Sequence, residues 1–286
     1  MLPARLDECP GECRMIYDRL RIAEANAVVF HIPTLRDPIE RLWKRPGQRW
    51  VAWSMESDAN NPRLADPEFM SNFELTMTYR RDSDVWVPYL KAGFVGLADG
   101  FVGPGPEAML EPPRPKTEVA PAIYVASNPE TLSGRDAYVR ELMRYLAVDS
   151  YGSSLNNRTW PADAGRATKL ETLSRYKFTL AFENSFAEDY VTEKFFDAIV
   201  AGSVPVYLGA PNIADFAPGD RCFIDVAAFA GPRELATHLL ELSHDETAYQ
   251  EYLAWKSDGL RPEFLALLTR LEPHPLCRLA RLLARP

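Results

Sequence analysis

The chain of 286 residues is 47% hydrophobic and 25% charged, with a formal net charge of -8. That length holds about two domains of ordinary size, and the negative charge excludes a general attraction to a nucleic-acid backbone, so any anionic ligand must be held by a few local cations. No run approaches the ~18 uninterrupted apolar residues of a membrane span, and the opening MLPARLDECPGE lacks a signal-like apolar core, so the chain as written is expected to be cytoplasmic or peripheral to a membrane.

In chain order, AVVFHI (27–32) and RWVAWSM (49–55) read as strands, and DSDVWVPY (82–89) contains a third. Short strands alternating with helical stretches predict an α/β domain with a mostly parallel sheet. Residues 102–119, VGPGPEAMLEPPRPKTEV, are dense in Gly and Pro and lose apolar periodicity, which predicts a linker or long loop. A second α/β unit begins with the buried-strand run PAIYVAS (121–127). Next comes a helix capped by Ser133 with Asp136 three residues on, its apolar face made of Ala137, Tyr138, Leu142, Met143 and Leu146. Phe178, Leu180 and Phe182 alternate along one strand, Phe195, Phe196, Ile199 and Val200 form a helical stripe stopped by Gly202, and SVPVYLG (203–209) is another strand. Strand, helix and strand of this length predict a parallel crossover. The end, PLCRLARLLARP (275–286), predicts an amphipathic helix with Leu276, Leu279, Leu282 and Leu283 on one side and Arg278, Arg281 and Arg285 elsewhere. Such a helix either closes onto the fold or lies on an anionic membrane surface.

In a parallel sheet the loops after the strands line one edge, where helix N-termini present unpaired N–H groups to anions. Arg135 and Lys194 each fall in the first turn of a helix that follows such a strand. A cation there opposes the helix dipole by about 0.3–1 kcal/mol unless an anion lies between them. Two such placements point to a diphosphate held by both helix ends, against the plainer reading that each cation is solvated or paired with a neighbour such as Asp136 or Glu193. Asn184, Tyr190 and Glu193 occupy the same edge and suit sugar hydroxyls, a ring or a phosphate oxygen, whereas Glu188 and Asp189 read as solvated. Glu56 follows the strand at 49–55 and, beside Met55 and Trp53, is either a general base of raised pKa or a surface carboxylate. Asp82-Ser83-Asp84 has the form of an Asp-x-Asp metal clamp, although two neighbouring arginines favour local ion pairing. Cys9, Cys13, Cys222 and Cys277 lack metal-site spacing and read as scattered thiols, with a disulfide of Cys9 or Cys13 in an oxidising compartment as the alternative. The four histidines form no catalytic spacing and read as surface or packing residues, and Asn157-Arg158-Thr159 is a glycosylation sequon that needs a secretory route to matter.

Residues 176–218, YKFTLAFENSFAEDYVTEKFFDAIVAGSVPVYLGAPNIADFAP, are joined in order by ANAVVFHIP (25–33), GQRWVAWSMES (47–57), FELTMTYRRDSDVWVPY (73–89), VASN (125–128) and WKSDGLRPEFLAL (255–267). Together they resemble the α-1,3/α-1,4-fucosyltransferases of glycosyltransferase family 10, nearest in motif to plant-type members. The resemblance implies an α/β GT-B fold of two Rossmann-like domains facing a cleft. Residues 1–118 would form the acceptor domain, its first strand missing or supplied from elsewhere; 119–262 the GDP-fucose domain; and 263–286 a helical tail. It further implies that Lys194 and Arg135 contact phosphates, that Ser127, Asn128, Asn184, Tyr190 and Glu193 belong to the donor site, and that Glu56 is the general base. The implied partners are GDP-fucose and a GlcNAc-containing glycan, with no metal or other cofactor required, no nucleic acid, and peripheral membrane contact through the basic tail. The Golgi lumen is the expected compartment if the chain is a truncated eukaryotic form.

The expected reaction is an inverting transfer of fucose from GDP-fucose to the O3 hydroxyl of GlcNAc. In it Glu56 accepts the hydroxyl proton, Glu193 stabilises positive charge on the fucose ring, and Lys194 and Arg135 neutralise the departing diphosphate. Two alternatives stand beside it: a metal-dependent GT-A enzyme built on Asp82 and Asp84, and a non-catalytic glycan-binding module.

Overall fold

The apolar runs form two parallel sheets. The computed structural model describes Cys9 and residues 14–36, 38–90, 105–160, 162 and 165–284. They fall into two compact units, one containing Met1–Tyr89 and Leu267–Pro286 and the other Val102–Ala266.

In the first unit β1 (Ala27–His31), β2 (Arg49–Ser54), β3 (Leu75–Thr78) and β4 (Val85–Trp86) pair in sequential order. Ala27 lies opposite Arg49 and Val51 opposite Leu75. The strand β3 carries little local signal, because LTMT is short and half threonine. The helix before it, α1 (Pro67–Met70), is capped by Asp66, whose carboxylate accepts from the N–H groups of Glu68 and Phe69. Side chains alternate along β2, so that Trp50 and Ala52 pack with Phe30, Ile32 and Ile39, while Val51 and Trp53 pack with Met77, Val85 and Val87.

The second unit runs α2 (Pro106–Met109), β5 (Ala122–Val125), α3 (Arg135–Leu142), β6 (Val148–Tyr151), α4 (Arg166–Leu173), β7 (Phe178–Phe182), α5 (Glu193–Ala201), β8 (Val204–Leu208), β9 (Ile224–Asp225), α6 (Pro232–His244), α7 (Glu246–Glu251) and α8 (Trp255–Asp258). Its sheet has the order β6-β5-β7-β8-β9, parallel throughout. All five residues of β7 are buried, as a central strand covered on both faces requires. Phe178, Leu180 and Phe182 join Tyr124, Val139, Leu142, Val206, Leu235 and Leu239 in the main core, each side chain contributing about 1.5–3 kcal/mol by burial.

Two local expectations change in the second unit. The described part of the Gly/Pro-rich stretch is fastened to the second unit, with Met109 buried and Lys116 donating to the carbonyls of Ser174 (2.9 Å) and Gly202 (2.6 Å). Ser133 does not cap α3. Gly134 occupies the cap position at φ 63°, a left-handed conformation that suits glycine, and the Ser133 hydroxyl donates instead to the Glu183 carbonyl at 2.7 Å. Gly202 does end α5, at φ 68°. There Lys256 donates to Ile199 at 3.0 Å, so two lysines lie at the negative end of the helix. Burial pushes the Lys116 and Lys256 ammonium groups down to about 8.

The helix α9 (Pro262–Thr269) is followed by α10 (Pro275–Leu283), which belongs to the first unit. Leu276, Cys277 and Leu279 are buried against Val51, Met77 and Val85, with Leu282 and Leu283 partly covered. Arg278 donates to the Trp86 carbonyl at 2.7 Å. The apolar stripe closes onto the fold, which removes the face that a membrane surface would need. Cys277 forms a disulfide with Cys9, Cα atoms 4.8 Å apart, correcting the scattered-thiol expectation. A separation of 268 residues hides such a pair from any local spacing rule. Cys222 is a buried free thiol, and Cys13 lies outside the described residues.

Closing so long a loop restricts the unfolded chain, so Cys277→Ser is expected to lower unfolding stability by about 2–5 kcal/mol. Urea denaturation of the variant beside the wild type checks this; coincident curves would show that the link contributes nothing.

Candidate active site

Between β5 and β7 the winding of the second sheet reverses, because β6 lies on one side of β5 and β7 on the other. In open α/β sheets ligands bind outside the carboxyl ends of the strands at this switch point. Two loops meet there. Arg135, only 3% exposed, donates through Nη1 to the Phe182 carbonyl (3.0 Å) and through Nη2 to the Asn128 carbonyl (3.1 Å), so its guanidinium bridges them. Its Nε lies 3.9 Å from Asp136 Oδ1 and makes no hydrogen bond among the described residues. The Ser133 N–H adds a bond to the Asn184 carbonyl at 3.1 Å.

The helix α5 begins beside this junction. Thr192 is its cap, and Lys194 its second residue. The Lys194 ammonium donates to Thr192 Oγ1 at 2.9 Å and lies 3.2 Å from Glu193 and 3.3 Å from Glu183. Glu183 is fully buried and accepts from both the N–H and the hydroxyl of Thr192, each at 2.7 Å. Burial pushes the Glu183 carboxyl up while the Lys194 ammonium draws it back. Burial also acts to lower the Lys194 ammonium, but Glu183 and Glu193 outweigh it and hold the group above the ordinary lysine value. For Glu193, burial acts upward but Lys194 and then Lys169 prevail, holding the carboxyl down to about 2.

The remaining donor-site candidates are distributed along the same edge. Ser127 and Asn128 are exposed after β5, where the Asn128 side chain accepts from the Glu130 N–H at 3.1 Å. Asn184 is half-buried just past β7. Tyr190 is 2% exposed. Asp189 is not solvated: it is 5% exposed, at φ 65°, and exchanges hydrogen bonds of 2.9 Å with Asn212 that pin the loop. Glu188 is exposed. On α5 a further buried acid, Asp197, receives Arg166 at 2.6 Å and Lys169 at 2.9 Å from α4.

In the first unit Glu56 is half-buried past the carboxyl end of β2, its Oε2 accepting from Asn60 at 3.2 Å. His31, at the end of β1, packs against Trp53 with ring centroids 4.6 Å apart and the ring planes tilted by 47°. Burial lowers its imidazole, and the Glu56 carboxylate opposes that shift. The Asp82 carboxylate is taken by Arg80 at 2.8 and 2.9 Å, and Asp84 by the N–H and hydroxyl of Thr76, each at 2.8 Å, which is local pairing rather than a paired clamp. Sequence reasoning singles out neither Glu183 nor Thr192, and it treats His31 only as one of four surface or packing histidines. Glu183 carries a signal, an acid directly after a five-residue strand with four apolar members, and Thr192 another, a capping residue before an acidic first turn.

The family model described as "Glycosyltransferase family 10 (fucosyltransferase) C-term" matches residues 114–286, and "Fucosyltransferase, N-terminal" matches residues 3–90. The chain belongs to glycosyltransferase family 10. Among family relatives, GDP-fucose protein O-fucosyltransferase 3 of Canis lupus familiaris is 37% identical over 89% of this chain and 55% of its own length. The 4-galactosyl-N-acetylglucosaminide 3-alpha-L-fucosyltransferase FUT6 of Pan troglodytes is 38% identical over 93% of this chain and 71% of its own. This chain therefore spans about half the length of several curated relatives it matches. A crystal structure of an α1,3-fucosyltransferase with GDP has a TM-score of 0.50 at 20% identity, covering 79% of this chain and 75% of that one. The fold is GT-B, as a family member with two parallel α/β units should have.

Because the folded-state Glu193 carboxyl is depressed from 4.5 to about 2, its contribution to stability is complete above about 4.5 and is lost as pH falls through about 2. Glu193→Gln is expected to flatten that part of the acid limb of the stability profile. Urea midpoints of both proteins between about pH 5 and pH 2 measure it, and parallel profiles would contradict the ion-pair account.

Proposed function

We propose that this chain transfers fucose from GDP-fucose to a sugar hydroxyl, the O3 of a GlcNAc-containing glycan, with inversion to an α-1,3 linkage. The observation that carries the reading is Lys194 at the N-terminus of α5, beside the switch point of the second sheet and inside the segment matched by the fucosyltransferase C-terminal model. A diphosphate there would meet the positive end of the helix dipole and a cation already ordered beside it. Residues 119–262 are assigned to the donor, with Ser127, Asn128, Asn184, Tyr190 and Glu193 along its edge. Arg135 serves that site first through its two carbonyl bonds, which hold the loops together. Residues 1–118 are assigned to the acceptor, less the 105–118 stretch that is fastened to the second unit, and 263–286 to a closing tail.

A sugar hydroxyl is a poor nucleophile near neutral pH, so the reaction needs a base. Glu56 takes the proton as the hydroxyl oxygen attacks the anomeric carbon and the bond to the β-phosphate breaks. Lys194 offsets charge developing on the diphosphate, and Glu193, held ionised, faces the positive charge that develops on the fucose ring. One displacement inverts the centre, with no covalent enzyme intermediate. No metal is assigned, since Asp82 and Asp84 have local partners.

The acceptor assignment is supported by the FUT6 relative, whose name describes transfer to the 3-position of an N-acetylglucosaminide. A protein hydroxyl is the second reading, favoured by relatives named GDP-fucose protein O-fucosyltransferase 3. The work is assigned to an oxidising compartment such as the Golgi lumen, which the Cys9–Cys277 disulfide supports.

Glu56→Gln is expected to retain GDP binding while losing about 10²–10⁴ in kcat. Lys194→Ala is expected to weaken GDP binding by about tenfold or more, the loss of a charged hydrogen bond. Calorimetry with GDP, and transfer assays on N-acetyllactosamine, a GlcNAc-terminated N-glycan and a folded Ser/Thr-bearing protein domain, measure both and choose between the acceptors. Undiminished turnover in Glu56→Gln would remove the base assignment.

A further inference from the structure

The donor reading leaves one group without a task. Glu183 is 0% exposed, so it reaches neither solvent nor a substrate, yet a carboxylate so buried is retained only where its oxygens are matched. Among the described residues its carboxylate partners lie at the N-terminus of α5. Oε1 accepts the Thr192 N–H, Oε2 accepts the Thr192 hydroxyl, and the Lys194 ammonium lies 3.3 Å from Oε2. The Thr192 oxygen in turn accepts from the Lys194 ammonium at 2.9 Å, closing a three-residue ring. The packing around Glu183 allows it little freedom. Its N–H donates to the Leu208 carbonyl at 2.8 Å, and a Cβ on Gly209 would stand 2.6 Å from Glu183 Cγ, so the glycine leaves space that this side chain fills.

That ring resolves an electrostatic conflict. Lys194 sits at the positive end of a helix, with the Arg135 charge also acting on it, and left alone its flexible stem would carry the ammonium toward water. Glu193 offers a partner, but its side chain is 38% exposed and competes with solvent. Glu183 offers one that cannot move.

We propose that Glu183 is a positioning residue for the donor phosphates: its buried carboxylate fixes Thr192 as the cap of α5 and holds the Lys194 ammonium over the helix N-terminus before the donor arrives. The inference rests on the GDP-fucose reading of this site. It predicts that the cation is preordered, so that binding a diphosphate does not have to immobilise a free lysine.

The test is calorimetric titration of the whole chain with GDP, for the wild type and for Glu183→Gln, Thr192→Val and Thr192→Ser. Glu183→Gln should bind GDP at least tenfold more weakly near neutral pH. As pH is raised, its affinity should also begin to fall at lower pH than in the wild type, because Lys194 has lost one anion and keeps only Glu193 against Arg135, with Lys169 still drawing on Glu193. A merely structural glutamate would not move that alkaline limb. Thr192→Val should weaken GDP about tenfold, and Thr192→Ser, which keeps the hydroxyl, should stay within twofold. If Glu183→Gln folds and binds GDP within twofold of the wild type with an unchanged pH profile, the proposal is overturned while the donor reading survives. If that variant does not fold, the threonine pair decides, and equal affinities for Val and Ser overturn it. A wild-type chain that does not bind GDP overturns the donor reading and this inference together.

Discussion

A buried guanidinium at the reversal of the second sheet is the interaction on which the rest of that unit depends. The strands β5 and β7 are neighbours, but the chain reaches β7 only after crossing to β6 and returning, so the two loops at their carboxyl ends are far apart in sequence and free to splay. Arg135 ties them by donating to the Asn128 carbonyl after one strand and the Phe182 carbonyl at the end of the other. Ser133 adds bonds to the carbonyls of Glu183 and Asn184. These acceptors are main-chain groups, and those of Phe182 and Glu183 belong to buried residues, where an unpaired carbonyl is costly. The junction is therefore a rigid floor, and the helices α3 and α5 start from it with their positive ends at the same edge.

The helix α5 is polarised in an uncommon way, with lysines at both ends. Lys116 and Lys256 at its carboxyl end complement the dipole by donating to the carbonyls of Gly202 and Ile199. Lys194 at the amino end opposes the dipole and is stable there because two carboxylates, one of them wholly buried, surround it. Neighbouring α4 contributes the same device on a second level, where Arg166 and Lys169 neutralise Asp197 inside the apolar stripe of α5. Acid and base alternate through this region, so removing one charge leaves its partners with one counter-ion fewer in a low-dielectric setting.

The first unit is held by a different means. Its strands β3 and β4 are short, and the sheet gains cover from α10, which comes from the far end of the chain and is locked to Cys9 by the disulfide. Glu56 and His31 occupy the carboxyl ends of neighbouring strands in this unit, with the imidazole against the ring of the buried Trp53.

The elements with a strong local pattern are legible in the amino-acid sequence by itself: the strands at 27–31, 49–54, 178–182 and 204–208, and α5 with its glycine stop, because apolar period and turn chemistry are written in adjacent residues. The long run 176–218 likewise makes the family readable, and the position of Lys194 at a helix start follows from the same local pattern. What tertiary structure decided were the pairings between distant residues. Ser133 has the local form of a helix cap, but a carbonyl fifty residues on claims its hydroxyl. Asp189 has the local form of a solvated acid until Asn212 is brought against it, and Cys277 that of a free thiol until Cys9 meets it. Above all, Glu183 reads as the polar residue after a strand, and only the folding of β7 against α5 turns it into a buried anion beneath Lys194. A sequence states which groups are present and which local shapes they favour; burial and partner, which set a charge's energy and chemistry, exist only once segments far apart in the chain are packed together.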